Sequence, residues 1–107
     1  MIRLRLYLGS SPHEGPSDTI PAGVERIDHV AEVLTHMLVS GATLIPAVGM
    51  WEGALESSLV IELLGDYTAD SVRAIAGELA ERFDQDAVFW TLDTVGQSGA
   101  EGSATDE

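Results

Sequence analysis

Two glutamates and two histidines recur at helical spacing in the first half of the chain, where they are candidates for metal chemistry. They are three or four residues apart: Glu25, His29, Glu32 and His36. On a helix they share one side within about 60°, and carboxylate and imidazole groups at such spacing can bind zinc or another divalent cation. The same positions form the middle of the polar side of an amphipathic helix, and no second segment clearly supplies further ligands. We therefore expect a solvated helix face and assign no metal site, with His29, Glu32 and His36 as the candidate ligands.

A second candidate cluster combines arginine with aromatic side chains. Arg3, Arg5 and Tyr7 alternate with apolar residues at the start of the chain, which places them on one face of a strand. Guanidinium groups pair with anions and stack on rings, so the cluster can hold a nucleotide or an acidic metabolite. Alternatively, it is neutralised by carboxylates of the same chain and packs in an interface. The candidate ligand or interface residues are Arg3, Arg5, Tyr7, Trp51, Glu62 and Phe89.

Motifs for nucleophilic or phosphate chemistry are missing from the sequence. Ser10, Ser11 and His13 lie close together in a polar segment, but the chain has no Gly-x-Ser-x-Gly sequence. It has no lysine with which to complete a phosphate-binding loop, and no cysteine for a thiolate site or a disulfide. We therefore assign no catalytic residue and no cofactor, and expect that the chain is not an enzyme.

The charge balance restricts the partners that the chain can have. Eighteen Asp and Glu residues stand against five Arg, which gives a net charge of −13 over 107 residues. Such a surface repels phosphate backbones, so nucleic-acid binding is not expected; a basic protein is a possible partner. No apolar run approaches the roughly 20 residues of a membrane span, and the alternating start of the chain is unlike a signal peptide. These features predict a cytoplasmic protein.

The hydrophobic pattern predicts six elements in the order β-α-β-β-α-β. Strands are expected over 2–8, 42–51, 57–64 and 87–94, and helices over 23–38 and from a cap at Thr68 or Asp70 to Phe83. Residues 9–19 form a polar loop and residues 51–56 a hairpin connection. The polar residues from 96 to 107 cannot bury enough surface to offset ordering entropy. We therefore expect one domain over 1–95, followed by a disordered acidic tail.

This element order predicts a ferredoxin-like α+β fold, a four-stranded antiparallel sheet with both helices on one face. Right-handed crossovers favour the strand order 4-1-3-2. The strand that contains Pro46 then lies at an edge, because proline has no amide hydrogen for a second neighbour. The other sheet face, which we call the open face, is too apolar to be left wet. We expect a second copy to cover it, with Arg3 and Arg5 paired to Glu62 or Asp93 across strands or across the interface.

Three short segments carry a resemblance to known proteins. They are Tyr7-Leu8-Gly9-Ser10, Gly49-Met50-Trp51-Glu52-Gly53 and Glu56-Ser57-Ser58. In these segments the chain resembles a group of short uncharacterised proteins of actinobacteria and of the phages that infect them. The resemblance covers roughly residues 1–95 and implies a ferredoxin-like domain, often dimeric, with no established chemistry. It implies structural roles for Trp51 and Glu56.

Together these observations predict a small non-enzymatic acidic interaction protein that acts as a homodimer. If the source is a phage, its target would be a host or defence component. One alternative is a protein that binds or sequesters a nucleotide or an acidic metabolite on the open face. Another is a small enzyme of the dimeric α/β-barrel type, because open sheets of this kind can host active sites.

Overall fold

The computed structural model describes residues 1–9, 27–97 and 99–102. In these ranges the chain forms the six predicted elements: β1 (Ile2–Gly9), α1 (Ile27–His36), β2 (Thr43–Trp51), β3 (Ala54–Gly65), α2 (Ala69–Arg82) and β4 (Phe89–Thr94). The predicted loop after Gly9, the first residues of the predicted helix over 23–38 and the end of the predicted tail lie outside the described residues. No helix in the described ranges is both long enough and apolar enough to cross a membrane.

The four strands form one antiparallel sheet in the order β2-β3-β1-β4. This is the predicted order 4-1-3-2 seen from the opposite edge, and with the two helices it confirms the ferredoxin-like α+β fold. Pro46 lies in the edge strand β2, directly opposite Leu59, within an unbroken register that runs from Thr43 to Trp51. The proline is therefore accommodated by the edge position without a bulge.

Apolar residues alternate with charged or exposed residues along β1, so one face of the sheet is buried and the other is exposed. Leu4, Leu6 and Leu8 are fully buried, because they face the helices while the residues between them face away. The helices supply the other half of the core with their apolar sides. The buried residues of the two helices and of β3 are Val30, Val33, Leu34, Val72, Ile75, Ala76, Leu79, Leu59, Ile61 and Leu63. The core thus lies between the helices and one sheet face, as the sequence pattern predicts.

The β2–β3 hairpin is tighter than predicted. Its connection is the two-residue turn Glu52-Gly53, with φ angles of 49° and 81°. Positive φ at both positions is typical of the type I′ turn, whose twist matches that of the flanking strands. The expectation of a connection over 51–56 is therefore wrong, and Glu56 lies within a strand.

The first helix ends earlier than predicted. Leu38 has a φ of 64° and is 91% exposed, so the expectation that it belongs to a helix over 23–38 is wrong. The amide of Leu38 donates to the Thr35 carbonyl and that of Val39 to the Leu34 carbonyl, both at 3.0 Å. This pair of hydrogen bonds is the Schellman motif, which satisfies the last helical carbonyls when one residue turns left-handed.

Candidate functional site

The strand register determines which side chains share the open face, because directly opposite residues on antiparallel strands point to the same side. Arg3 lies between Leu64 and Asp93, Arg5 between Glu62 and Thr91, and Tyr7 between Val60 and Phe89. On the outer side of β3, Thr43 lies opposite Glu62 and Ile45 opposite Val60. Between Arg3 and Tyr7, the open face thus consists of two charged rows and one apolar row.

The two arginines of β1 are neutralised by carboxylates of neighbouring strands. Arg3 donates from Nε to Oδ1 of Asp93 at 3.2 Å and from Nη2 to Oδ2 at 2.8 Å. Arg5 donates from Nε to Oε2 of Glu62 at 2.9 Å. The prediction left open whether these groups pair across strands or across an interface, and the structure shows that they pair across strands.

The two hydrogen bonds between Arg3 and Asp93 shift the pKa of both side chains. The hydrogen bond from Arg3 lowers the pKa of the Asp93 carboxyl; burial opposes this shift, and the charges of Arg3 and Arg5 add to it. The same hydrogen bond, followed by the charge of Asp93, raises the pKa of the Arg3 guanidinium. Each charge therefore stabilises the charged form of the other.

The apolar row crosses all four strands in the order Ile45, Val60, Tyr7 and Phe89. Phe89 is 66% exposed, Ile45 43% and Tyr7 37%. The phenyl ring of Phe89 and the phenol of Tyr7 are on directly opposed residues of adjacent strands. Two neighbouring accessible aromatic groups form a surface on which a flat heterocycle can stack.

A group of polar side chains lies at the Gly9 end of the open face. A Cβ atom built on Gly9 would lie 3.2 Å from Oε1 of Glu56 and 3.4 Å from Oε1 of Gln85. Nε2 of Gln85 donates to the Phe83 carbonyl at 3.3 Å, which orients the amide oxygen toward Gly9. The Ser58 hydroxyl donates to the Leu8 carbonyl at 3.4 Å. We call Gly9, Glu56, Ser58 and Gln85 the polar end of the open face.

Tertiary structure brings together most of the residues predicted for ligand or interface contact. Arg3, Arg5, Tyr7, Glu62 and Phe89 share the open face. Trp51 ends β2 opposite Ala54, and the position of its side chain is outside the described part of the structure.

Glu56 and Gln85 were not predicted as members of the candidate site. A two-residue hairpin turn would have placed Glu56 in phase with Val60 and Glu62 on the open face, because strand side chains alternate with a period of two. Gln85 follows α2 and reaches Gly9 only through the packing of that helix on the sheet. The sequence carries no local signal for it.

The described candidate metal ligands on α1 do not form a metal site. His29, Glu32 and His36 are exposed on the helix, and Glu25 lies outside the described residues. The imidazole of His29 packs on the ring of Phe83, with centroids 4.9 Å apart and planes tilted by 56°. Within residues 1–9, 27–97 and 99–102, no three His, Asp or Glu side chains are grouped closely enough to hold a metal ion.

Comparison with known proteins gives structural neighbours but no sequence family. No protein-family model matches the chain, and no curated protein sequence does. A phage SAM lyase in its apo state superposes with a TM-score of 0.65 at 22% identity, over 86% of this chain and 78% of the lyase. A phage SAM lyase in complex with S-methyl-5'-thioadenosine gives 0.62 at 20% identity, over 86% and 79%. A DUF3240 family protein from Shewanella baltica gives 0.56 at 13% identity, over 94% and 97%.

These neighbours correct the functional prediction. The expectations of a non-enzymatic interaction protein and of no enzymatic activity are wrong, because the fold is shared with a lyase. The resemblance to uncharacterised phage proteins is confirmed only in coarse form, since a phage protein and a DUF3240 family protein have this fold.

Proposed function

We propose that this protein is a lyase that cleaves S-adenosylmethionine (SAM) or a closely related adenosyl sulfonium, with its active site at the polar end of the open face. The observation that carries the proposal is the position of Glu56 and Gln85 around Gly9, beside the aromatic residues Tyr7 and Phe89. These residues lie on a fold that is also found in a phage SAM lyase. A phage SAM lyase with this fold is known in complex with S-methyl-5'-thioadenosine.

The charges of the chain favour a cationic ligand without phosphate. Arg3, Arg5, Arg73 and Arg82 each pair with a carboxylate at 3.3 Å or less, and the sequence has no lysine. A phosphorylated nucleotide would therefore meet a net charge of −13 with little compensation. An adenosyl sulfonium carries a positive sulfur and no phosphate, so the same field attracts it.

The aromatic row suits the adenosine part of such a ligand. Tyr7 and Phe89 are adjacent and accessible, and an adenine ring can lie against either of them. The tyrosine is two residues before Gly9 on the same strand and the same face. A ligand that stacks there can extend its sulfonium toward the Glu56 carboxylate.

The reaction breaks one carbon–sulfur bond and needs no second substrate. The sulfur takes the bonding electron pair and leaves as a neutral thioether, 5'-methylthioadenosine. The remaining four-carbon fragment closes on its own carboxylate, in which case no proton is released, or loses one carbon-bound proton and forms a double bond. In the second case Glu56 supplies the carboxylate that receives this proton.

A second effect of Glu56 is to hold the sulfonium in place. A carboxylate beside the sulfur stabilises the substrate more than the transition state, because the positive charge decreases as the bond breaks. This electrostatic contact therefore contributes to binding and orientation. The rate gain comes from orientation and, where a double bond forms, also from proton acceptance. We propose that Gln85, anchored on the Phe83 carbonyl, orients the substrate from the other side of Gly9.

The proposal is tested by incubating the purified protein with SAM and following 5'-methylthioadenosine by liquid chromatography and mass spectrometry. We expect the wild-type protein to form it and Glu56→Gln to form it at least 100-fold more slowly. The matched control is Glu52→Gln, which removes the same charge from the exposed turn of the same hairpin. This control should retain wild-type turnover.

Two results would contradict the proposal. One is the absence of product at any SAM concentration from a protein that circular dichroism shows to be folded. The other is equal turnover by Glu56→Gln and the wild-type protein, which would remove the active site from the polar end. A rise in melting temperature with 5'-methylthioadenosine but without turnover would indicate a binding protein instead.

We also propose that the chain is encoded by a phage and acts in the cytoplasm of the host. The resemblance to actinobacteriophage proteins and the phage source of the lyase support this origin. Phage structural or replication genes beside the coding sequence are the expected genomic context, and a context of chromosomal housekeeping genes would argue against it.

A further inference from the structure

We propose that Asp84 is a positioning residue of the polar end, because its left-handed backbone places the side-chain amide of Gln85 beside Gly9. The backbone conformation of Asp84, and not its charge, is what acts on Gln85. This role rests on the proposed function, in which Gln85 orients the substrate.

Helix α2 ends in a tight reversal of the chain. Asp84 has a φ of 54° directly after the helix cap. The amide of Gln85 donates to the Ala80 carbonyl at 2.8 Å. The amide of Asp84 donates to the Glu81 carbonyl at 3.5 Å. These bonds form a Schellman motif, in which the residue after the cap is left-handed. Because the chain reverses at Asp84, Gln85 lies beside Gly9 of β1 and not on a further turn of the helix.

Gln85 is held through both its backbone and its side chain. Its backbone amide is bound by the Ala80 carbonyl, and its side-chain Nε2 donates to the Phe83 carbonyl at 3.3 Å. Phe83 is itself fixed, because it is only 8% exposed and belongs to the core. The amide oxygen of Gln85 lies 3.4 Å from the position of a Cβ built on Gly9. Both anchors of Gln85 are carbonyls of the last turn of α2, so its position depends on the turn at Asp84.

Residues differ in how readily they adopt the conformation of Asp84, and this difference separates backbone from charge. Glycine enters the left-handed region without steric cost, and asparagine enters it more readily than most residues. Valine is strongly disfavoured there, because it is branched at Cβ. The side chain of Asp84 is exposed. Asp84→Gly, Asp84→Asn and Asp84→Val therefore remove the same charge and differ mainly in backbone preference.

Turnover of SAM by the full chain, measured as 5'-methylthioadenosine, tests the role of Asp84. We expect Asp84→Gly and Asp84→Asn to keep kcat within about twofold of wild type, and Asp84→Val to lose at least about tenfold in kcat, because Gln85 no longer orients the substrate. In a protein that already carries Gln85→Ala, Asp84→Val should cause no further loss, because Asp84 acts through Gln85. A further loss there would overturn the proposal.

The matched control is a second left-handed residue at the end of a helix. Leu38 follows α1 with a φ of 64°, and it precedes β2, whose first residue Thr43 lies in the row of Arg5 and not at the polar end. Leu38→Val disfavours the left-handed turn in the same way. It should leave kcat unchanged, and a loss equal to that in Asp84→Val would overturn the proposal.

Hydrogen exchange of the Gln85 backbone amide, followed by NMR, gives a measurement that does not require turnover. This amide should stay protected in Asp84→Gly and Asp84→Asn and exchange at least about tenfold faster in Asp84→Val, while circular dichroism shows all three variants to be folded. A wild-type protein that forms no product but shows this exchange pattern would disprove the lyase and leave Asp84 as the residue that places Gln85. In an active protein, equal turnover by all three variants would overturn the positioning role. Equal losses in all three would also overturn it, because the change that they share is the loss of charge.

Discussion

Arg3 and Asp93 lie directly opposite each other on β1 and β4, 90 residues apart in sequence, and are joined by two hydrogen bonds of 3.2 and 2.8 Å. The contact connects the first strand of the fold to the last. It is formed on the open face by two residues whose register is set by the apolar alternation of both strands. Formation of this ion pair therefore shows that β1 and β4 are paired in the sheet.

The Arg3–Asp93 pair predicts a specific pH dependence. The folded-state pKa of Asp93 is below the ordinary value of 3.8, so the contribution of the ion pair to stability is fully present above pH 3.8. The contribution is lost as the pH falls through the lower folded-state pKa. Carboxyl NMR titration should show the Asp93 pKa rising toward 3.8 in Arg3→Met. Arg73→Met, which breaks an exposed pair on α2, should leave it unchanged, and an unshifted Asp93 in Arg3→Met would disprove the assignment.

A methyl group on Gly9 should disturb the polar end. The Cβ atom of Gly9→Ala would lie 3.2 Å from Oε1 of Glu56, so the carboxylate has to move. A misplacement of about 1 Å can reduce a catalytic rate about 100-fold. The shift needed here is only a few tenths of an ångström, so we expect SAM turnover to fall by up to about tenfold. In Gly49→Ala the new atom meets Glu56 and Ser58 at ordinary contact distances of 3.6 to 3.7 Å. Turnover should therefore be nearly normal in that control, and equal losses in both variants would contradict the prediction.

The second helix depends on its N-terminal cap. Oγ1 of Thr68 accepts from the Ser71 amide at 3.2 Å, and Oγ of Ser71 accepts from the Thr68 amide at 3.0 Å. Thr68→Ala removes one of these reciprocal bonds and should lower the free energy of unfolding by about 1 kcal/mol. Thr68→Ser retains the hydroxyl and should stay within about 0.5 kcal/mol of wild type in urea denaturation. Similar losses in both variants would show that the cap contributes through the methyl group instead.

Two glycines should respond to alanine in opposite directions. Gly77 is an exposed position inside α2, and a Cβ there would meet no atom within 4 Å. Gly77→Ala should raise the free energy of unfolding by about 0.5 to 1 kcal/mol, because alanine costs less backbone entropy in a helix. Gly53 also has free space but has a φ of 81° in the hairpin turn. Gly53→Ala should lower stability by about 1 kcal/mol, and a gain there would contradict the turn geometry.

The sequence was sufficient to predict the fold but not to predict the candidate site. The alternation in β1 and the helical periodicity around Val72 identified buried faces, since burial of apolar surface follows the period of each element. The proline at position 46 correctly indicated an edge strand. Glu52-Gly53 was not predicted as a two-residue turn, because glutamate is not a typical residue at positive φ. Glu56 was therefore assigned to the connection and not to a strand.

The order of the elements, the helix-facing residues and the strongly acidic character of this protein follow from the sequence alone, because periodicity and composition are local properties of the chain. Tertiary structure decided that Arg3 pairs with Asp93 and Arg5 with Glu62, and that Glu56 and Gln85 meet around Gly9. The physical reason is register: the residues that face one another across a sheet depend on turn length and strand order, and a one-residue shift moves every side chain to the other face.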